Sequence, residues 1–221
     1  MDILEIDGIQ LSFGHRKILT DVYLKSETGS VTGILGRNGS GKSSLLKIAF
    51  GVIKAENQSL RINGQYFEKG FEGVNKINYL SQEAFAPSYL TFSKLLHVFN
   101  ITREGKTRLL ELPEARKHLH DKLGSLSYGL RKYFEALTLL AASTKFTLLD
   151  EPFSYLSPLL TQELKMQIES FKQQKGIILT DHQYENVLTS SDTCYLISNG
   201  RTIPITEEEE LITHGYLSGL T

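Results

Sequence analysis

The chain of 221 residues is 40% hydrophobic, 22% charged and 10% aromatic, an ordinary globular composition for one or at most two domains that excludes disorder and fibrous repeats. Its 24 basic and 25 acidic residues leave a net charge of -1, which removes the usual electrostatic basis for a nucleic-acid or anionic-membrane binder, so no nucleic-acid partner is expected. One cysteine, Cys194, excludes an internal disulfide, no apolar run approaches the roughly 20 residues of a membrane span, and Met1-Asp2-Ile3-Leu4-Glu5 does not read as a secretory signal, so a soluble, cytoplasmic chain is expected.

Apolar residues alternate at Ile3, Leu4 and Ile6, then Ile9, Leu11 and Phe13, then Val22, Tyr23 and Leu24, with breaks at Asp7-Gly8 and Gly14-His15. The pattern predicts short paired strands. Val31-Thr32-Gly33-Ile34-Leu35 is nearly continuous and bounded by glycines, as expected of a strand buried on both faces of a parallel sheet. A helix is predicted over 42–50, with Leu45, Leu46 and Ala49 on one face. Between the two stands Gly36-Arg37-Asn38-Gly39-Ser40-Gly41-Lys42-Ser43, which fits the phosphate-binding pattern G-x-x-x-x-G-K-[ST] in its required strand-to-helix context. Glycines let successive backbone N–H groups turn around the phosphates, and the helix N-terminus adds its positive dipole. Lys42 reaches the β- and γ-phosphates, and the Ser43 hydroxyl ligates Mg²⁺.

Further along, 60–66 reads as a strand with an Asn63-Gly64 turn, and 76–80 as a strand leading into Ser81-Gln82. From 83 to 125 the period becomes helical, with Leu95, Leu96 and Phe99, then Leu109, Leu110 and Leu112, and the segment reads as a helical insertion. A helix over 127–142, capped by Ser127, precedes the apolar strand 146–149. That strand ends in Asp150-Glu151, two carboxylates suited to holding Mg²⁺ and polarising the attacking water respectively. Helix 162–171, strand 177–179, helix 185–188, a hairpin of 195–198 and 202–205 on Asn199-Gly200, and a short acidic helix from Glu207 complete the chain. Strands alternating with helices predict a parallel α/β core.

With these pieces in order, the sequence resembles the ATP-binding cassette (ABC) ATPase family over nearly its whole length. Leu126-Ser127-Tyr128-Gly129-Leu130 matches the family signature L-S-G-G-Q at three of five positions, directly before a helix. Gln82 matches the glutamine-loop residue, His182 in Leu179-Thr180-Asp181-His182 the switch histidine, Ser154-Tyr155-Leu156-Ser157 the S-A-L-D loop, and Phe13 an aromatic that stacks on adenine. The resemblance implies an α/β phosphate-loop NTPase core with a mostly parallel sheet, an N-terminal antiparallel β subdomain and a small helical subdomain. Residues 1–82 and 143–221 would form the core and β subdomain, and 83–142 the helical subdomain ending in the signature helix.

It further implies that ATP is held by Phe13, Gly36, Asn38, Gly39, Ser40, Gly41, Lys42, Ser43 and Ser44, and by Ser127 and Gly129 of a second subunit. Mg²⁺ would be held by Ser43, Gln82 and Asp150, and Glu151, His182 and Gln82 would serve hydrolysis. Two ATPs would be sandwiched in a head-to-tail dimer with a second ATPase subunit, identical or a sister cassette. Separately encoded transmembrane subunits would hold the pair at the cytoplasmic face, docking around Gln82, Phe85, Tyr89 and Phe92. Tyr128 and Leu130 depart from the signature and Ser157 from the loop aspartate, departures expected to weaken closure. Two other readings stay open: a soluble ABC ATPase outside transport, and a nucleotide-binding regulatory module with weak turnover.

Overall fold

A computed structural model describes residues 1–69 and 76–217. The chain opens with two long antiparallel strands, β1 (Ile3–Phe13) and β2 (Arg16–Glu27), where short ones were predicted. Asp7-Gly8 does not end a strand; it lies in β1 where the register with β2 slips between Ile6 and Ile9, so a bulge absorbs the break in alternation and pairing continues. Leu4, Ile6, Ile9 and Leu11 all remain buried across it. Strand β3 (Val31–Leu35) is buried throughout, and helix α1 (Lys42–Phe50) follows the glycine-rich loop. Then come β4 (Asn57–Ile62), the Asn63-Gly64 turn, β5 (Gln65–Tyr66) and β6 (Ile77–Leu80).

Between β6 and the next strand lie α2 (Phe92–Val98), α3 (Arg103–Leu109), α4 (Pro113–Lys117) and α5 (Tyr128–Ala141), the last capped by the Ser127 hydroxyl, which accepts from the Leu130 N–H. Strand β7 (Phe146–Asp150) leads to α6 (Pro158–Phe171), which starts four residues before the predicted 162. Ser157 caps α6 by accepting from the Leu160 N–H, and Pro158 occupies its first turn, both of them helix-start residues. The chain closes with β8 (Gly176–Thr180), α7 (Tyr184–Ser190), β9 (Thr193–Ser198), β10 (Arg201–Ile205) and α8 (Glu209–Thr213).

Among the described residues the strands form one mixed sheet in the order β5-β4-β1-β2-β10-β9-β3-β8-β7-β6. The run from β9 to β6 is parallel, and β1, β2, β4 and β5 pair antiparallel at the other edge. Leu45, Leu46, Ile48 and Ala49 of α1 share one apolar core with β1, β2 and β4 and with Ile34, Phe146, Leu148 and Ile178 of the parallel strands. The sheet thus curls around α1 and fixes the loop before it. A second core joins the other face of the parallel strands to α2, α5 and α6. Cys194 is buried. No helix among the described residues is long and apolar enough to cross a membrane.

One aromatic of the expected docking face is displaced. Phe92 is fully buried and stacks on Phe134, with ring centroids 4.4 Å apart, whereas Tyr89 stands in solvent and Phe85 rests against Phe99. The first turn of α2 needs an apolar anchor against α5, and Phe92 supplies it. Phe92→Ala is therefore expected to cost about 3–5 kcal/mol in a urea titration, against less than about 0.5 kcal/mol for Tyr89→Ala. Equal midpoints for the two variants would return Phe92 to the surface.

Candidate functional site

The phosphate loop leaves β3 and enters α1 at Gly41, whose backbone φ is +105° and whose hypothetical Cβ would stand 2.7 Å from Leu19 Cδ2, so only glycine fits. As the cap of α1, Gly41 offers no side chain to the first-turn amides, and that turn carries no acid; the N–H groups and the dipole remain for an anion. Lys42 is buried, and among the described residues it is bonded to the loop's own carbonyls, Nζ donating to Gly36 O at 2.7 Å and to Arg37 O at 3.5 Å. Burial lowers its pKa, opposed by the attraction of Glu151, Asp150 and Asp181. A cation desolvated against carbonyl oxygens is poised for a stronger anionic partner.

Strand β7 delivers both carboxylates. Asp150 is fully buried, and hydroxyls satisfy it: Ser43 Oγ (3.0 Å) and Thr180 Oγ1 (2.8 Å) donate to Oδ1, and Tyr79 Oη (2.9 Å) donates to Oδ2. Burial, reinforced by Asp150, raises the Tyr79 pKa and keeps that phenol a donor. Glu151 takes a left-handed backbone (φ 51°), uncommon outside glycine, held by its N–H donating to Thr180 O at 3.0 Å and Oγ1 at 3.2 Å. The turn aims its carboxylate back toward α1. Gln82 Nε2 bridges the two sides, donating to Ser43 Oγ at 3.0 Å and to Glu151 Oε1 at 2.9 Å.

Ser154 Oγ donates to Glu151 Oε2 at 3.3 Å and lies 3.4 Å from His182 Nδ1, which is itself 3.9 Å from that carboxylate. Lys42, Ser43, Gln82, Asp150, Glu151 and His182 therefore converge, although 140 positions separate Lys42 from His182 in sequence. A cavity of about 360 Å³ opens on the cluster, lined by Asn38, Gly39, Ser40, Gly41, Lys42, Ser43, Ser44, Gln82 and Glu151, with Phe13, Arg16 and Ile18 at one end. That is the size of a small-molecule cleft. Phe13 is exposed at that end of the cavity. Ser127 and Gly129 do not line this cavity: Ser127 caps α5, and Gly129 packs against Tyr155.

The set suits Mg²⁺, since Ser43 Oγ and the Asp150 carboxylate are oxygen donors 3.0 Å apart, and the Gln82 carboxamide, which meets Ser43 through its nitrogen, would turn its oxygen to a cation there. With a single carboxylate among them, a cation would complete its shell with phosphate oxygens and water. Sequence reasoning missed the roles of Tyr79 and Thr180, which reach Asp150 through strand pairing, and of Ser154, which reaches Glu151 from three residues along the loop after β7. A hydroxyl at 180, directly before Asp181-His182, was the one signal available for them.

The family model described as ABC transporter matches residues 19–154. The lipopolysaccharide export system ATP-binding protein LptB of Haemophilus influenzae is 29% identical over 96% of this chain and 93% of its own, and that of Escherichia coli K12 is 30% identical over 92% and 90%. Among solved structures, a nucleotide-free ATP-binding cassette from an ABC transporter aligns over 99% of this chain and 96% of its own with a TM-score of 0.81 at 24% identity, and shows the same fold. From the loop that cradles phosphates to the carboxylates that face it, what the chain carries is therefore an inheritance: it belongs to the ABC transporter family, as an ATP-binding, ATP-hydrolysing subunit.

Proposed function

We propose that the chain drives transport by closing on ATP with a second ATPase subunit, and that the residues around Lys42 act in named roles. The observation that carries this is the convergence of Ser43, Gln82, Asp150 and Glu151 in one hydrogen-bonded cluster at the mouth of the phosphate loop. Gly36, Asn38, Gly39, Ser40, Gly41, Ser43 and Ser44 present backbone and hydroxyl donors to the phosphates, Lys42 supplies the counter-charge, and Phe13 offers its face to adenine. Ser43, Asp150 and Gln82 would hold Mg²⁺, which when bound neutralises charge on the β- and γ-phosphates. Glu151 accepts from the attacking water and draws its proton, while Ser154 and His182 fix the carboxylate from the other side.

Ser127 is exposed and lies outside this cavity, which suits contact with the nucleotide of a second subunit across a head-to-tail dimer, with Gly129, packed against Tyr155, beside it in the same turn. The chain between β6 and β7, broadly 83–142, then serves as the small helical subdomain against a core of 1–82 and 143–221. Its exposed Phe85 and Tyr89, with Gln82 at the boundary of the core, are the docking face for separately encoded transmembrane subunits, which place the ATPase peripherally at the cytoplasmic side. Cargo identity resides in that partner.

The test is purification of the tagged chain from detergent-solubilised membranes, with ATP turnover measured with and without whatever membrane protein accompanies it. A stoichiometric membrane partner that changes turnover, and is lost in Tyr89→Asp while ATP binding by the free chain persists, is the expected result. Purification without any membrane protein would remove the partner reading; a partner retained by Tyr89→Asp would remove the docking face.

A further inference from the structure

The loop carrying Gln82 is fastened to the first two turns of α5 by four side chains of its own subunit. Lys132 Nζ donates to the carbonyls of Ser81 and Gln82, the latter at 3.0 Å; the Glu135 carboxylate accepts from the N–H groups of Phe85 (3.2 Å) and Ala86 (3.0 Å); and Arg131 donates to the Ala86 carbonyl. The fourth is Tyr128, the residue that departs from the signature glycine. Its hydroxyl donates to the Gln82 carbonyl at 3.1 Å and accepts from the Ala84 N–H at 3.3 Å. Its ring stands edge-on to Tyr155, with centroids 5.1 Å apart and planes at 89°.

Tyr155 in turn belongs to the loop that begins at Glu151 and has a left-handed backbone of its own (φ 66°). The neighbouring glycine is demanded by the same packing, because a Cβ at Gly129 would lie 2.1 Å from the Tyr155 carbonyl oxygen. One side chain, half in solvent, thus joins the main chain at Gln82, the start of α5 and the loop after Glu151. A glycine at 128 would leave the Ala84 N–H and one bond to the Gln82 carbonyl to water.

We propose that Tyr128 is a positioning residue for ATP hydrolysis: by bridging Gln82 and Ala84 it holds the Gln82 carboxamide on Ser43 and Glu151. The proposal rests on the roles given above to Gln82 and Glu151. Gln82 is itself exposed, and its side chain reaches Ser43 and Glu151 from a main chain whose carbonyl is held by Tyr128 and Lys132. Fixing it beforehand removes an ordering step from the barrier rather than adding affinity for the nucleotide. Lys132 and Glu135 are wholly buried, so their loss would cost the fold; the Tyr128 hydroxyl is accessible and can be deleted alone. The direction of effect reverses the expectation that Tyr128 merely weakens closure.

Tyr128→Phe keeps the ring against Tyr155 and removes only the bridge. It is expected to lower kcat about three- to tenfold, the range of one to two ordinary hydrogen bonds, with KM for ATP and the melting temperature unchanged. Hydrogen exchange at the Ala84 amide, monitored by NMR, is expected to quicken. In a double-mutant cycle, adding Tyr128→Phe to Gln82→Ala should produce no further loss of kcat, because the positioned group is gone.

Additive losses, an unchanged or raised kcat, or a fall in kcat accompanied by a lower melting temperature would each overturn the proposal. Glu151→Gln separates the two readings. If that variant turns over normally, the site assignment fails; if it is inactive and the Tyr128–Gln82 cycle is additive, the assignment stands and the positioning role alone fails.

Discussion

Glu151→Gln is expected to bind ATP as the wild type does, to lose turnover by a factor on the order of 10² or more, and to accumulate as an ATP-bound dimer. The geometry explains why binding survives. Glu151 Oε1 accepts from Gln82 Nε2 at 2.9 Å and Oε2 accepts from Ser154 Oγ at 3.3 Å, with His182 Nδ1 nearby. A glutamine can turn its carbonyl oxygen to Gln82 and its amide to Ser154, whose hydroxyl accepts as readily as it donates. The left-handed turn is held by main-chain bonds to Thr180 that the substitution does not touch. What disappears is the negative charge that would take a proton from water. Calorimetry with ATP, a steady-state ATPase assay and light scattering at high ATP check the three parts. Unchanged turnover with monomer alone at every ATP concentration would remove both the base and the closing dimer.

The parts of this site that were legible in sequence are those in which chemistry is contiguous. The phosphate loop is one uninterrupted run between a buried strand and an amphipathic helix, and Asp150-Glu151 ends an apolar strand, so both announce themselves locally. What fixes those groups is not contiguous. Tyr79 and Asp150 are 71 positions apart and meet because β6 and β7 pair in parallel, and Thr180 reaches Asp150 through β8 in the same way.

Elsewhere the local signal was present but outweighed. Asp7-Gly8 is a turn dipeptide, yet the apolar residues on either side gain more from staying in one long strand with a bulge. Phe92 and Phe85 are the same residue type, and only the position of Phe134 on α5 decides which is core. Tyr128 reads from the signature pattern as a defect, while its hydroxyl finds two main-chain partners some 45 positions earlier.

Lys42→Met is expected to weaken ATP binding by about 100-fold or more while leaving the fold's stability within about 1 kcal/mol of wild type, and the opposite leanings of the two effects have one origin. The side chain is 6% exposed and its ammonium is bonded to Gly36 and Arg37 carbonyls rather than to a carboxylate. Its lowered pKa records a burial cost that the attraction of Glu151, Asp150 and Asp181 does not fully offset. Methionine preserves the aliphatic volume and removes that cost, so the free chain loses little. A triphosphate loses far more: a desolvated charge pair broken by removing one partner costs about 3–5 kcal/mol, which is about two to three and a half powers of ten in affinity.

The sign of the pH dependence follows from the same group. Free protein holds the Lys42 proton less tightly than an ordinary lysine, and bound phosphate would restore it, so affinity falls as pH rises through the lowered value. In Lys42→Met that limb should be absent. Calorimetric titrations of both proteins across neutral to alkaline pH carry the test: equal affinities at neutral pH would show that Lys42 does not contact phosphate, and an identical alkaline decline in the methionine variant would assign the titration to another group.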